Sequence, residues 1–382
     1  MKFTVSSAEL YSHLQIVAKI ISNKSVQVIP VLDNILFELN GDHIQLASAD
    51  LANRLTTTVA IQGEPAHGSF MVAHRPILEF LKELPDQPLT IEVKPEAGYS
   101  ARMEYSNGHF EFTALNADSF PEDIDMTKEA HQIKLVASRM LAGINATKFA
   151  ASTDERRPIM TGVLMDFKED ALFYVASDGR YLVRYTDNTV KQNFTAQVCI
   201  PSNICSLLSG SLLPKEDGEV MISFDAKRIQ ITLTGYTLTA RLLEGKFPNY
   251  NSVIPPSSPY DVTVNREALL YGSRRVASCA SKASKLILLN IQDNKLKLQS
   301  KDLDFSIAGE ETIPCSVSEA QHNIRIGFDS ELLGQILGSM NAPEVTLSLA
   351  DQTRAGIIRP SEELEGTETL SLLIPIKLLS DN

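Results

Sequence analysis

Ser177 and Asp178 are the pair in this sequence that comes nearest to covalent chemistry, a hydroxyl nucleophile beside a carboxylate. Such a pair works only with a base in hydrogen-bond reach of the hydroxyl and a third group orienting that base. None of His13, His43, His67, His74, His109, His131 and His322 lies near it in sequence. Adjacent residues at a strand end also point to opposite faces. The pattern therefore favours an Asx-type turn, in which the aspartate accepts nearby backbone N–H groups, over a hydrolase.

Other chemistry is sparse. The histidines have no metal-ligand spacing, and no Walker, G-x-G-x-x-G, H-E-x-x-H or G-x-S-x-G motif occurs. Nothing points to an enzyme, a metal or a cofactor. Cys199, Cys205, Cys279 and Cys315 form no Cys-x-x-Cys pair and read as buried free thiols of a reducing cytoplasm. The paired acids Asp123 with Asp125 and Glu362 with Glu363 read as solvated surface. No apolar run approaches the ~20 residues of a membrane span. The opening Met1-Lys2-Phe3-Thr4-Val5 alternates like a strand, with no signal-peptide core.

What remains is the chemistry of charge. The 382-residue chain carries a net −12, which by itself repels polyanions and anionic membranes. Its distribution is uneven. Lys19 and Lys24 against Glu9 give +1 over residues 6–24, and Arg139 with Lys148 gives +2 over 138–148. Arg266, Arg274, Arg275, Lys282 and Lys285 against Glu267 give +4 over 265–285. These helix-like stretches hold +7, leaving −19 for everything else. A surface lined by them would attract a phosphate backbone while the remainder repels it. With no aromatic–basic interleaving, the attraction is by charge and shape, without sequence readout.

The elements that must position these groups come in triplicate. Strand-like runs end in Ala49-Asp50-Leu51, Ser177-Asp178-Gly179 and Lys301-Asp302-Leu303, with the aspartates 128 and 124 residues apart. Each third opens with an alternating strand (residues 3–5, 133–135, 262–264) and an N-cap residue: Ser6 or Ser7, Ser138, Asn265. A helix follows, its apolar face clearest in Leu10, Leu14, Val17 and Ile21. A second strand and helix come at 69–84, 197–213 and 324–340, with Ser202 and Asp329 as N-caps and Pro76 in a first turn. Asn107-Gly108 marks a two-residue hairpin turn.

Two helices per third are too few for a parallel βαβ sheet. The spacing predicts an α+β fold of antiparallel sheets with helices on one face, each third internally duplicated. Linkers near 122–131 and 249–260 divide the chain into domains at 1–126, 127–256 and 257–382.

At this point the sequence resembles the bacterial DNA polymerase III β-subunit family, the sliding clamps. The resemblance rests on Met1-Lys2-Phe3-Thr4-Val5, Pro30-Val31-Leu32, Arg157-Pro158-Ile159-Met160-Thr161-Gly162-Val163-Leu164 and Ser177-Asp178-Gly179-Arg180-Tyr181-Leu182. It continues through Glu244-Gly245-Lys246-Phe247-Pro248-Asn249-Tyr250 and Leu373-Ile374-Pro375-Ile376-Lys377-Leu378, so it covers the whole length.

The resemblance implies three repeated clamp domains and a head-to-tail homodimer closed into a ring, helices inside and sheets outside. It implies duplex DNA in the hole, bound without sequence specificity and without catalysis. Implied partners are the DNA polymerase III catalytic subunit, the clamp loader and other proteins with a clamp-binding motif. Their peptides would enter a groove lined by Met160, Ser177, Gly179, Arg180, Leu182, Pro248, Val253, Leu372, Leu373, Ile374, Pro375 and Ile376. Prolines at its rim would stiffen it. DNA contacts would fall to Lys24, Lys148, Arg156, Arg157, Lys282 and Lys285.

Two departures stand out. Arg180 precedes Tyr181 where the family commonly has His or Tyr before Arg, so either could face a peptide. Residues 379–382 extend past the usual end. A clamp-like paralogue that docks peptides without encircling DNA is the alternative. Of the three aspartate turns, only the middle one is expected to be more than structural.

Overall fold

The computed structural model of the chain describes residues 1–122, 126, 129–318 and 323–378. Asp123, Asp125, His322, residues 379–382 and the middle of the expected first linker lie outside the described residues.

Seven α-helices occur among the described residues: α1 (Ser7–Val17), α2 (Asn23–Val28), α3 (His74–Lys82), α4 (Ala137–Thr147), α5 (Ser202–Leu207), α6 (Arg266–Ala277) and α7 (Ser330–Ser339). Six are the expected two per third. The extra one, α2, is capped by Ser22, which accepts the Ser25 N–H, and stops short of Pro30. Ser6, Asn265 and Asp329 cap α1, α6 and α7 by accepting amides two or three residues on.

Ser138 and Ser202 are not caps. Helix α4 starts two residues earlier than that role requires and α5 one residue earlier, each directly off a strand. Ala137 N–H is satisfied by the Gly218 carbonyl, and the Ser202 hydroxyl donates to the Thr161 carbonyl. Regular α-helix also ends earlier in the second third: Leu208–Leu212 widens into a π-turn and Leu213–Lys215 tightens into a 3-10 turn around Pro214. The hairpin turn is Ser106-Asn107, because Gly108 already pairs with Tyr105.

Leu10, Leu14 and Val17 bury the inner face of α1, and Met140 and Ile144 that of α4. Helices pack in pairs, α1 on α3 and α6 on α7. All described strand ladders are antiparallel and form three sheets. Four strands, Lys2–Ser6, Pro88–Lys94, Ser100–Tyr105 and Gly108–Thr113, make the first in that order. Eight strands make the second, in which Asn53–Ala60 joins Tyr236–Arg241. Twelve make the third, in which Tyr181–Asp187 joins Thr367–Leu373. Compactness divides the chain into Met1–Ser138 with Gly210–Leu242, holding the first two sheets, and Arg139–Ser209 with Leu243–Asn382, holding the third. The middle third is shared between these units because each of its halves runs on into a neighbouring sheet.

Candidate functional site

The middle aspartate turn joins strands Ala171–Ser177 and Tyr181–Asp187. Asp178 Oδ1 accepts the N–H groups of Arg180 at 2.8 Å and Tyr181 at 3.2 Å, and Oδ2 accepts from the Arg180 guanidinium at 2.8 and 3.0 Å. The Ser177 hydroxyl donates to the Tyr181 carbonyl at 2.7 Å and accepts the Gly179 N–H at 3.1 Å. Both side chains are committed to their own backbone. Asp50 does the same for Ala52 and Asn53, both at 2.7 Å, and Asp302 for Asp304 and Phe305 at 3.0 and 3.3 Å. The Asx turn thus holds in all three copies.

Two further copies went unread in the sequence. Asp225 caps Lys227 and Arg228, and Asp351 caps Thr353 and Arg354, in the second halves of their thirds. Their signal was an Asp followed by a two-residue turn between strands. The hydrogen bonds from Thr353 hold the Asp351 carboxyl down to about 2.

Around the turn, the residues expected to line a groove separate into a buried set and an exposed set. Tyr181 faces Leu373 and Leu182 faces Leu372 across the ladder, which continues as Ile374 N–H donates to the Arg180 carbonyl at 3.0 Å. Leu372 and Leu373 are 2% and 0% exposed, and Met160, Ser177 and Leu182 are buried with them. Leu182 and Leu372 belong to a core with Leu164, Val175, Cys199, Phe247 and Tyr250. At the surface stand Gly179, Arg180, Pro248, Val253 (53%) and Ile374 (48%), with Pro375 and Ile376 half-buried. The Ile376 N–H donates to the Gly327 carbonyl at 2.8 Å, which ties down the run beyond the strand.

The order of Arg180 and Tyr181 resolves plainly. Tyr181 is 4% exposed, its hydroxyl donating to the Phe149 carbonyl at 2.8 Å, and burial pushes that phenol up to about 12. The Arg180 side chain is 65% exposed and faces solvent, 3.6 Å from Asp329. Tyr250 anchors the segment that carries Pro248 by donating to the buried Asp166 at 2.8 Å. The result is an apolar rim with one exposed guanidinium, suited to a short peptide with apolar anchors.

The six expected DNA-contact cations are placed diversely. Lys24 is exposed on α2, and Lys282 is exposed after α6. Lys148 Nζ donates to Ser209 Oγ at 2.6 Å. Arg156 is 89% exposed but folded onto Asp154 at 2.8 Å, Arg157 donates to the Asp178 carbonyl at 3.1 Å, and Lys285 pairs with Glu331. Several other helix cations are structural. Arg139 binds Asp187 at 3.2 Å, Arg266 closes the end of α7 through the Leu337 and Ala342 carbonyls, and Arg275 binds Glu311 at 2.6 Å. Counting charge along the helices therefore overstates what a ligand would meet.

Cys199 and Cys205 are buried, and burial pushes both thiols up, Cys205 to about 12. Cys279 and Cys315 are only half-buried, so the expectation of four buried thiols fails for that pair. Among the described residues no three His, Cys, Asp or Glu side chains are grouped to share a metal, and no helix is long and apolar enough to cross a membrane.

Against known proteins, residues 1–125, 134–249 and 251–372 match the family models of the DNA polymerase III beta subunit N-terminal, central and C-terminal domains. The beta sliding clamp of Pseudomonas aeruginosa is 26% identical over 379 residues, 99% of this chain and 100% of the relative. That of Synechococcus elongatus is 26% identical over 388 residues, 100% of both chains. The crystal structure of the Pseudomonas aeruginosa DNA polymerase III subunit beta superposes with a TM-score of 0.90 at 25% identity, over 99% of this chain and 100% of that one. A clamp from the same organism bound to griselimycin gives 0.92 at 25% identity with the same coverage.

Proposed function

The chain belongs to the DNA polymerase III beta subunit family, the bacterial sliding clamps, and from that premise we propose that it pairs head to tail with a second copy into a ring around duplex DNA. In that form it tethers the replicative polymerase for processive synthesis. Its domains are bounded at 1–126, 127–256 and 257–382.

The observation that carries the ring is a seam made twice within the chain and left open a third time. After the first aspartate turn, Asn53–Ala60 pairs with Tyr236–Arg241, Asn53 facing Ala240. After the second, Tyr181–Asp187 pairs with Thr367–Leu373, Tyr181 facing Leu373. After the third, Ile307–Val317 is paired along residues 307–314 on one side only among the described residues, and Gly108–Thr113 ends the four-stranded sheet. These are the open counterparts of the closed seams. Unpaired edges of this kind are templates for another chain, and a second copy closes both at once by two-fold symmetry. Leu303 and Phe305, 78% and 75% exposed beside the open edge, lose their water in the same step. The third turn is then an assembly element rather than a purely structural one.

In the ring the first helices of the three domains face the hole, where Lys24, Lys148, Arg156, Arg157, Lys282 and Lys285 hold the duplex loosely, without sequence readout. The rim around Arg180, Val253 and Ile374 receives peptides of the polymerase catalytic subunit, the clamp loader and other partners. Assembly, tethering and docking are its work in the cytoplasm; no catalytic step is assigned to it. The native mass tests the ring: a particle of twice the 42.0 kDa chain supports it, and a monomer at micromolar concentration refutes it.

A further inference from the structure

We propose that the crease between α6 and α7 is a seat for the phosphodiester backbone of duplex DNA, with Arg274 as its cation; this rests on the reading of the chain as a DNA clamp. The crease is an open depression of about 560 Å³ lined by Arg274, Ala277 and Ser278 from α6 and its cap and by Ser330, Glu331, Gly334, Gln335 and Gly338 from α7. Its depth comes from two glycines one helical turn apart. A Cβ on Gly334 would meet nothing within 4 Å, and one on Gly338 only Arg274 Nη2 at 3.9 Å. The floor is bare helix backbone, which a phosphate can approach closely.

Charge points the same way. Arg274 has no acid partner among the described residues; its guanidinium lies over the Tyr271 ring, 5.7 Å from the centroid. Its neighbour Arg275 is held by Glu311, and Arg266 by carbonyls. The acid in the lining, Glu331, is matched by Lys285, and the α7 cap Asp329 lies 3.6 Å from Arg180. The crease therefore keeps one unmatched positive charge, and its lining holds the Ser330 hydroxyl, which makes no hydrogen bond among the described residues, and the Gln335 amide, whose oxygen accepts from the Tyr181 hydroxyl at 3.3 Å. Arginine plus neutral donors over a small-residue floor is how phosphate contacts that fix position without reading bases are built. A volume of about 560 Å³ admits a stretch of sugar-phosphate rather than a lone ion.

The test is equilibrium binding to a short linear duplex across a potassium chloride series, with retention on circular duplex measured alongside. Arg274→Gln should weaken binding several-fold and make log affinity against log salt shallower by about 0.9, one phosphate contact. Gly334→Leu fills the crease without changing charge and replaces a poor helix former, so it should weaken binding while the thermal midpoint does not fall. Arg275→Gln removes the same charge one residue away and should leave the slope unchanged. An unchanged slope for Arg274→Gln, an equal drop for Arg275→Gln, or unchanged affinity for Gly334→Leu overturns the assignment. Equal loss from circular and linear duplex with the Arg274 effect intact would fault the ring and leave the crease standing.

Discussion

Tyr181 and Phe305 hold the same place in two copies of one turn, each donating its backbone N–H to the aspartate three residues before it, at 3.2 and 3.3 Å. Tyr181, paired opposite Leu373, is 4% exposed, whereas Phe305 is 75% exposed. In the proposed ring a strand of the second copy covers Phe305, and burying a phenylalanine side chain is worth roughly 1.5–3 kcal/mol. Phe305→Glu should therefore raise the dimer dissociation constant by roughly 10- to 100-fold per seam. Sedimentation at falling concentration checks this, and a dimer as tight as the unsubstituted one would refute the seam.

The peptide rim makes a separate prediction. Ile374→Asp places a charge at a 48% exposed apolar position and should weaken binding of a clamp-binding peptide at least ~10-fold, with dimerisation and thermal midpoint unchanged. Leu373→Asp, at a fully buried site, should instead unfold its domain. Calorimetric titration with the peptide separates the two, and unchanged affinity in Ile374→Asp would remove that residue from the rim.

That contrast shows what was legible in the sequence. Residues 372–376 read as one apolar run, and only the strand pairings decide that Leu373 points inward and Ile374 outward. The triplication was legible because an Asx turn is local, needing only an aspartate and the two N–H groups that follow. The N-cap roles of Ser138 and Ser202 misled because these helices leave a strand without a capping residue. The helix charges misled because the partners of Arg139 and Arg266 lie 48 and 71 residues away.

Gly179 should tolerate no side chain without cost. Its φ is +92°, and a Cβ would stand 3.1 Å from Arg157 Nη1. Gly179→Ala should lower stability by about 1 kcal/mol, whereas Gly218→Ala, where nothing lies within 4 Å and φ is not positive, should not. Urea unfolding measures both, and equal stability would show that the turn relaxes freely.

A pH dependence follows from His13. Its Nδ1 lies 2.7 Å from Thr57 Oγ1, whose own proton goes to the Gly235 carbonyl at 2.7 Å, so Nδ1 carries a proton. The ring stacks on Tyr236, 5.4 Å between centroids. Burial is the main cause that holds its pKa below 6.5; Glu9 opposes and Lys215 assists. The fold favours the neutral ring, so stability is full above pH 6.5 and falls as the pH drops below it. Between about pH 7.5 and about pH 5.5 the unsubstituted protein should lose more stability than His13→Gln. Equal losses would exclude His13 as a contributor.

Enclosure of DNA is tested most directly by retention on a closed duplex. Protein loaded onto circular DNA and moved to high salt should stay bound, because a ring is held by topology and needs little attraction. Cutting the circle once should release it by sliding off the ends. Loss at the same rate from intact and cut circles would contradict the ring.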